Sequence, residues 1–336
     1  MHEWAEFRHF RYLLTILEKR GFRAAAEELH TAQPNLSVQA RQFQENASVH
    51  LFRRLKHGGI RPTETGVAFM VLAKLLLETL DEVLKALTAI ERGDIRSMRF
   101  GCTPLADRSV FHDLCATHKE ILPGCPIRPT HGDTAQLAEE IISGTVDAAI
   151  VTLPLTHPDL HIEELHRDRL VVCLRRDNPL AAKSAIHPVD LQGNLTILYH
   201  PQRHPDAHQR LLELLGDVGV TIDEHSWASH PSEMQALVKE GQGLALIREG
   251  TKLDEELITR PIAGVDWTVD TAVIYHKSHY PKTIPVLLRK LRRKLYPDAA
   301  GTASDRIPVS MKASPAKRNA SRQSGEDGPV QLTLLG

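Results

Sequence analysis

One long segment without helix-breaking residues constrains this fold more than any other feature of the sequence. Residues 67–91 contain neither proline nor glycine. Apolar side chains recur there at the three- and four-residue spacings of a heptad repeat: Phe69, Ala73, Leu76, Leu80, Val83, Leu87 and Ile90. The repeat favours a helix that pairs with a second helix, although a single amphipathic helix packed on its own domain would show the same stripe.

The N-terminal part, before this segment, has the pattern of a helix-turn-helix. Residues 7–18 carry apolar side chains at helical spacing, Gly21 ends that helix, and residues 23–29 form a short second helix. A third helix then buries Leu36 and Phe43 and exposes polar side chains that can hydrogen-bond bases or phosphates. A basic turn containing Lys56, His57 and two glycines follows as a wing: Arg53, Arg54, Lys56, His57, Gly58, Gly59 and Arg61.

The charge distribution agrees with a nucleic-acid partner for this part. The whole chain has 41 basic and 42 acidic residues, a net charge of −1. Residues 1–66, however, hold ten lysines and arginines against seven aspartates and glutamates. A basic N-terminal segment on a neutral chain suggests DNA binding, whereas the plainer alternative is a solvated helix face.

The N-terminal residues resemble the winged helix-turn-helix of LysR-type transcriptional regulators. The matching residues are Phe22, Ala25, Ala26, Leu29, His30, Gln33, Pro34, Leu36, Ser37, Gln39, Arg41, Leu51, Phe52, Arg54, Thr63, Glu64, Thr65 and Gly66. The resemblance implies that DNA is contacted by Gln33, Pro34, Ser37, Gln39, Arg41 and Arg54. It further implies that the heptad helix pairs two subunits, that a homodimer or homotetramer binds double-stranded promoter DNA, and that RNA polymerase is a further candidate partner.

The C-terminal part alternates short apolar runs with helical stretches, which is typical of a parallel α/β sheet. The predicted strands are residues 99–103, 148–153, 170–175, 196–199, 244–247 and 271–275. The predicted helices are residues 106–119, 134–143, 206–216, 231–240 and 283–295.

Short stretches of this part also resemble the periplasmic-binding-protein-like (type 2) effector module of the same family, at residues 144–149, 177–180 and 241–245. The expected fold class is therefore α/β, with a winged helix-turn-helix, a long linker helix and a two-lobed effector domain. The expected regions are 1–66 for DNA binding, 67–93 for the linker, 97–298 for the effector domain and 299–336 for a disordered extension. Lobe I is expected at 97–176 and 266–295, and lobe II at 177–265.

The expected ligand site lies beyond the carboxyl ends of the strands, where helix N-termini offer free N–H groups. The candidate effector-binding residues are Thr103, Thr134, Gln136, Thr152, Pro154, Tyr199, His200 and Pro201. Thr103 and Thr134 have the alternative role of simple helix caps. Because this set holds hydroxyls and amides but no carboxylate, we expect an anion, such as a small organic acid, rather than a cation, while neutral ligands stay open.

Catalytic and metal sites are not expected. The sequence has no HExxH, GxxxxGK[ST] or GxSxG motif, and no cofactor is implied. His200, His204 and His208 have a regular spacing, but Pro201 and Pro205 interrupt any helix that would align them. A metalloenzyme at these histidines and a solute-binding protein remain the rival functions.

The remaining features concern thiols, charge and location. The four cysteines lack a CxxC spacing, so reduced thiols are expected, with a redox switch as the alternative. Residues 289–294 hold five basic groups, which suit either a solvated last helical turn or a second phosphate contact. The start of the chain is not the pattern of a signal peptide and no apolar run is long enough to span a bilayer, so we expect a cytoplasmic protein without a membrane partner.

Overall fold

The computed structural model describes residues 4–55, 59–222 and 225–297. The first helices are α1 (Phe7–Glu18), α2 (Phe22–Glu28) and α3 (Gln33–Asn46). Their apolar stripes meet in one buried cluster: Leu13, Ile16, Leu17, Ala25, Ala26, Leu36, Ala40, Phe43, Leu51 and Ile60. The small side chains of Ala25 and Ala26 let α2 lie close to α3, so the predicted helix-turn-helix is confirmed.

A short hairpin follows α3. Strands β1 (Phe52–Arg54) and β2 (Ile60–Pro62) pair antiparallel, with Arg53 opposite Arg61 and Arg54 opposite Ile60. Ile60 is buried beneath the helices, so it fixes the hairpin to the three-helix core. The basic turn that was predicted at Lys56, His57 and Gly58 lies outside the described residues.

The predicted long helix is confirmed as α4 (Glu64–Glu91). It begins at Thr63, whose side-chain oxygen accepts a hydrogen bond from the Gly66 N–H at 3.0 Å. Gly66 is required by close packing, because a Cβ there would lie 1.9 Å from the Leu51 carbonyl oxygen. The helix ends before Gly93, whose φ of +68° suits a residue without a Cβ.

The C-terminal part is a nine-stranded sheet with helices on its faces. Its strands are β3 (Met98–Cys102), β4 (Ile127–His131), β5 (Ala148–Thr152), β6 (Leu160–Arg175), β7 (Leu195–Tyr199), β8 (Ser226–Ala228), β9 (Leu244–Arg248), β10 (Leu257–Pro261) and β11 (Thr268–His276). Its helices are α5 (Arg108–Ile121), α6 (Thr134–Ile142), α7 (Pro205–Asp217), α8 (Pro231–Lys239) and α9 (Ile284–Leu295), with 3₁₀ turns at Pro179–Ala182 and Pro188–Leu191.

The sheet is mixed, which corrects the expectation of a parallel sheet. The strand order is β4-β3-β5-β11-β6-β9-β7-β8, and β10 also pairs with β6. The parallel pairs β3–β4, β3–β5, β7–β8 and β7–β9 form the two ends. Between them, β11 runs antiparallel to β5 and β6, and β6 runs antiparallel to β9 and β10. Two long strands therefore connect two groups of parallel strands.

These groups define two lobes with separate cores. The first lobe contains β3, β4, β5 and β11 with α5, α6 and α9. The second lobe contains β7 to β10 with α7 and α8. Val171 to Leu174, in the second half of β6, pack in the second-lobe clusters. The chain thus enters the second lobe earlier than the boundary expected after residue 176.

Two further expectations concern the ends of the chain and membranes. The extension expected to be disordered, residues 299–336, lies outside the described residues. Within the described ranges, no helix has both the length and the apolar character that crossing a bilayer requires.

Candidate functional site

The exposed face of α3 is set by the residues that it buries. Leu36, Ala40 and Phe43 face the core, so Pro34 and Arg41 lie exposed on the opposite side. On the edge of that face, the Gln33 Nε2 donates a hydrogen bond to the Ser37 Oγ at 3.1 Å. No acidic side chain occurs on α3 before Glu45, so the face presents donors and positive charge.

Gln39 differs from the other predicted DNA-contacting residues. Its Oε1 lies 2.7 Å from the Nε2 of His9, and this contact is partly buried between α1 and α3. The side chain is therefore engaged within the domain. Val38, which was not among the predicted residues, lies exposed near the centre of the face.

The hairpin supplies a second basic surface, and its strand β2 packs on α1 and α4. Arg53 and Arg61 are exposed and directly opposite each other in the β1–β2 ladder. Arg54 is also exposed, and its guanidinium carbon lies 5.7 Å from the centroid of the Phe22 ring. Stacking on an aromatic ring restricts the arginine side chain without neutralising its charge. Arg53 and Arg61 join Arg54 as candidate phosphate contacts.

The apolar positions of α4 divide into two sets. Phe69 stacks on Phe10 with ring centroids 5.8 Å apart, and Ala73 is 1% exposed, so both pack within the chain. Leu76, Leu80 and Ile90 are half-buried. A different set is exposed by 36–66% and is called the α4 apolar face: Val67, Val71, Leu72, Leu75, Val83, Leu84 and Leu87. Only Val83 and Leu87 belong to both this face and the predicted seam.

A cavity of about 420 Å³ lies between the two lobes and is called the cleft cavity. The first lobe contributes the residues that follow β3 and β4, and the second lobe contributes residues that precede α7 and α8. The lining residues are Cys102, Thr103, Pro104, Arg108, His131, Gly132, Asp133, Gln136, Arg203 and His230. Because β3 and β4 are parallel, their carboxyl ends and the N-termini of α5 and α6 meet at this point.

Polar groups in the cleft cavity are incompletely paired. Thr103 is fully buried, and its hydroxyl has no hydrogen-bond partner among the described residues. Arg108 is exposed, and it makes no ion pair in the described part of the chain. Arg203 has its Nε 3.9 Å from the Asp133 Oδ2. An unpaired buried hydroxyl is costly, and Arg108 and Arg203 line the same cavity.

Asp107 connects the cavity wall to the second lobe. It begins α5, and its Oδ1 accepts a hydrogen bond from the Ser109 N–H at 2.8 Å. Its Oδ2 lies 3.2 Å from an Arg248 guanidinium nitrogen on β9. Burial raises the pKa of Asp107, but the Ser109 N–H and the Arg248 charge outweigh burial and hold the pKa below its usual value.

The other predicted effector-binding residues do not all line the cleft cavity. Gln136 lines the cleft cavity with Thr103, whereas Thr134, Thr152 and Pro154 line a separate cavity of about 20 Å³. Tyr199, His200 and Pro201 line neither cavity. The sequence-based set missed every charged residue of the cavity wall: Arg108, Asp133 and Arg203. The one available signal was that Asp133 and Arg108 lie where loops lead into helices α6 and α5.

Among the described residues, the histidines and cysteines form no cluster for metal binding, and all four cysteines are free thiols. The described residues contain no group of three or more histidine, cysteine or acidic side chains placed to hold a metal ion. Burial raises the pKa of Cys102 and of Cys173 to about 12, and it also raises the pKa of Cys115 and Cys125. A raised pKa disfavours the reactive thiolate.

The basic run on α9 is largely neutralised within the chain. Four of its five basic side chains form ion pairs: Arg289 with Glu82, Lys290 with Glu120, Arg292 with Glu163 and Lys294 with Asp113. Arg293 is exposed without an ion pair among the described residues. The run is therefore better explained as a packed, solvated helix end than as a phosphate contact.

Comparisons with known proteins agree with both halves of this architecture. Residues 7–67 match the family described as bacterial regulatory helix-turn-helix protein, lysR family, and residues 91–295 match the LysR substrate binding domain. The HTH-type transcriptional regulator BudR of Raoultella terrigena is 28% identical over 244 residues, 72% of this chain and 84% of that protein. BenM of Acinetobacter baylyi, also an HTH-type transcriptional regulator, is 26% identical over 259 residues, 74% of this chain and 81% of that protein.

Solved structures share the whole fold. Full-length BenM superimposes with a TM-score of 0.54 at 21% identity, covering 90% of this chain and 100% of that chain. Full-length CbnR complexed with its target DNA has a TM-score of 0.51 at 21% identity, covering 87% and 100%. Both family matches and the full-length likeness lead to one conclusion. The chain belongs to the LysR family of bacterial helix-turn-helix transcriptional regulators.

Proposed function

We propose that this regulator binds promoter DNA as a homodimer or homotetramer and changes the geometry of that binding when a small organic acid enters the cleft cavity. Residues 1–66 would bind DNA, residues 67–93 would pair the subunits, and residues 97–298 would bind the acid. The observation that carries the ligand assignment is the buried, unpartnered Thr103 hydroxyl in a cavity with Arg108 and Arg203. DNA binding is supported by the donor-rich face of α3 and by the exposed arginines of the hairpin.

The DNA contacts follow from the two surfaces. The α3 face of Gln33, Pro34, Ser37 and Arg41 suits the major groove, where amide and guanidinium groups read base edges. The hairpin arginines suit the DNA phosphates that border the groove. In this proposal Gln39 holds α3 against α1 through its hydrogen bond with His9. Its side chain reaches DNA only if that hydrogen bond opens.

The DNA assignment is tested by fluorescence anisotropy with duplex DNA taken from beside the gene. Arg54→Ala should weaken binding to all sequences and reduce the dependence of log affinity on log salt by about one. Gln33→Ala should change base preference by about 1–3 kcal/mol at one position. Arg293→Ala is the matched control, because it removes an exposed, unpaired arginine from α9. Equal salt dependence for Arg54→Ala and Arg293→Ala would refute the hairpin contact.

Subunit pairing is proposed through the α4 apolar face, because solvent exposure of seven large aliphatic side chains on one helix is unfavourable. Leu75→Asp should dissociate the oligomer, since a charge would be buried without a partner. Leu212→Asp, at a 38% exposed leucine on α7, is the control for the same change elsewhere. Leu80→Asp tests the half-buried seam. An unchanged oligomer of Leu75→Asp in analytical ultracentrifugation would contradict the assignment.

The ligand assignment is tested by a thermal-shift panel of organic acids, amines and sugars. A ligand present at 100 times its Kd should stabilise the protein by about 2.7 kcal/mol. Thr103→Val should then reduce affinity for any acid that binds. Thr271→Val is the matched control, because Thr271 is also fully buried with an unpartnered hydroxyl but does not line the cleft cavity. Stabilisation by amines or sugars alone would exclude an acid.

A further inference from the structure

Two helices of the first lobe begin at the cleft with an aspartate, and each aspartate faces a cation of the second lobe. Asp107 faces Arg248 at 3.2 Å. Asp133 faces Arg203, with Oδ2 to Nε at 3.9 Å, and His204, with Oδ1 to Nε2 at 3.7 Å. The two carboxylates therefore link the first lobe to the second, and Asp133 also lines the cleft cavity.

The two aspartates differ in what else they do. Asp107 caps its own helix through the Ser109 N–H. Asp133 precedes α6 but accepts no capping hydrogen bond from that helix. Its carboxylate is instead directed across the cleft, where it is 17% exposed and lines the cavity together with Arg203. The Asp133 side chain therefore does not stabilise the start of α6. It lies instead beside Arg203, the cation that would bind an anionic ligand.

Arg203 is the charged partner in this contact. His204 is 2% exposed, and burial lowers its pKa although the Asp133 charge opposes that effect. His204 is therefore neutral near pH 7, whereas a guanidinium keeps its charge. The Arg203–Asp133 distance of 3.9 Å is longer than that of a hydrogen-bonded ion pair, and Arg203 is half exposed. Such a contact is loose enough to be exchanged.

We propose that Asp133 is an internal counter-ion of Arg203 that an anionic effector displaces. This inference rests on the proposed binding of an acid in the cleft cavity. The acid and Asp133 compete for the same guanidinium, so an acid that binds Arg203 also releases one carboxylate contact between the lobes. Asp133 thereby sets both the affinity of the site and the coupling of ligand binding to lobe movement, because a ligand shifts an equilibrium only by binding one state better than the other.

In this proposal the negative charge of Asp133 weakens the binding of acids. Removing its charge in Asp133→Asn should tighten binding of an acid about tenfold, the effect of losing one nearby like charge. Binding of the neutral amide of the same acid should be unchanged. Arg203→Gln should weaken acid binding, and Asp133→Asn should give a smaller gain in the Arg203→Gln background than in the wild type, because the competition no longer exists there.

The experiment is isothermal titration calorimetry of the full-length protein with an acid identified in the thermal-shift panel, with its amide and with the corresponding α-amino acid. Asp159→Asn, at an exposed aspartate that does not line the cavity, controls for the change in net charge. Tighter acid binding by Asp133→Asn alone, with the amide unaffected, is the expected result.

Three outcomes would overturn the inference, and they separate it from the proposed function. If acids bind the wild type but Asp133→Asn leaves their affinity unchanged, Asp133 is no competitor and the acid site stands. If the amino acid binds better than the acid and loses affinity in Asp133→Asn, the carboxylate is a ligand for an ammonium group. If no acid binds any variant, the acid site itself is wrong and the counter-ion role falls with it.

Discussion

Replacing Gly66 by alanine tests how the connecting helix is joined to the DNA-binding domain. The new Cβ would lie 1.9 Å from the Leu51 carbonyl oxygen, about 1 Å closer than such atoms approach. That oxygen belongs to a buried residue and accepts a hydrogen bond from the Thr63 N–H at 3.0 Å, so it cannot move freely. Overpacking costs about 1–3 kcal/mol, and an immovable backbone places the cost at the upper end. Alanine restores about 1 kcal/mol of helix propensity, which leaves a net loss of about 2 kcal/mol.

Gly216→Ala is the matched control, because Gly216 lies within α7 and a Cβ there would meet no atom within 4 Å. It should raise stability by about 0.5–1 kcal/mol. Differential scanning calorimetry of the full-length protein measures both variants, and DNA anisotropy should show weaker binding for Gly66→Ala alone, since the start of α4 must move. Equal stability of the two variants would refute the argument from close packing.

Three further changes test the packing and titration of the effector domain. Asp270→Asn should raise the melting temperature at pH 7, because burial and the nearby Glu164 and Asp168 charges raise the pKa of Asp270; the gain should vanish in acid as the wild-type carboxyl becomes protonated. Burial lowers the pKa of His118 in the folded state, so unfolding takes up a proton when the pH falls below 6.5. The wild type should therefore keep its full stability above pH 6.5 and lose stability below it, and a flat melting temperature between pH 7.5 and 5.5 would contradict this. Leu114→Ala, in the centre of the first-lobe core, should cost about 2–5 kcal/mol in urea unfolding, whereas Leu212→Ala should cost far less.

Features governed by local periodicity were predictable from the sequence. The helices of the DNA-binding domain, α4 and the five helices of the effector domain follow from the spacing of apolar residues, because each buries one face. β6 was recognised only in its second half. Its first half, from Leu160 to Arg169, has only Leu160, Ile162 and Leu165 as apolar side chains and pairs with β11 along one edge, so it lacks the continuous apolar run of a buried strand.

The apolar pattern of α4 shows a different limit. Phe69 and Ala73 fit the heptad repeat, but they pack against the chain's own helices, and most of the exposed apolar side chains of α4 lie outside the repeat. The apolar character of a side chain indicates that it is buried, but it does not indicate whether the side chain packs against its own chain or against a partner. If α4 also pairs with a second subunit, as proposed, the apolar residues that contact its own chain and those that contact the partner are mixed in one sequence pattern.

The cleft cavity was predictable only where strand ends define it. Thr103 and Gln136 could be predicted because Thr103 comes directly after β3 and Gln136 lies in the first turn of α6. Arg203 reaches the same cavity from the second lobe, about 70 residues later in the chain. Its position depends on how β6 and β11 hold the lobes together, and no local pattern encodes that arrangement.

The most direct test of the whole account is a DNase I footprint of the promoter fragment with and without the acid that stabilises the protein. The wild type should protect the fragment in both conditions, with a protected region whose extent or internal cleavage changes when the acid is added. Thr103→Val should protect the fragment as the wild type does without acid and should respond only at higher acid concentration. A footprint that is identical with and without saturating acid, or a fragment that is never protected, would contradict the claim that a ligand in the cleft controls DNA binding.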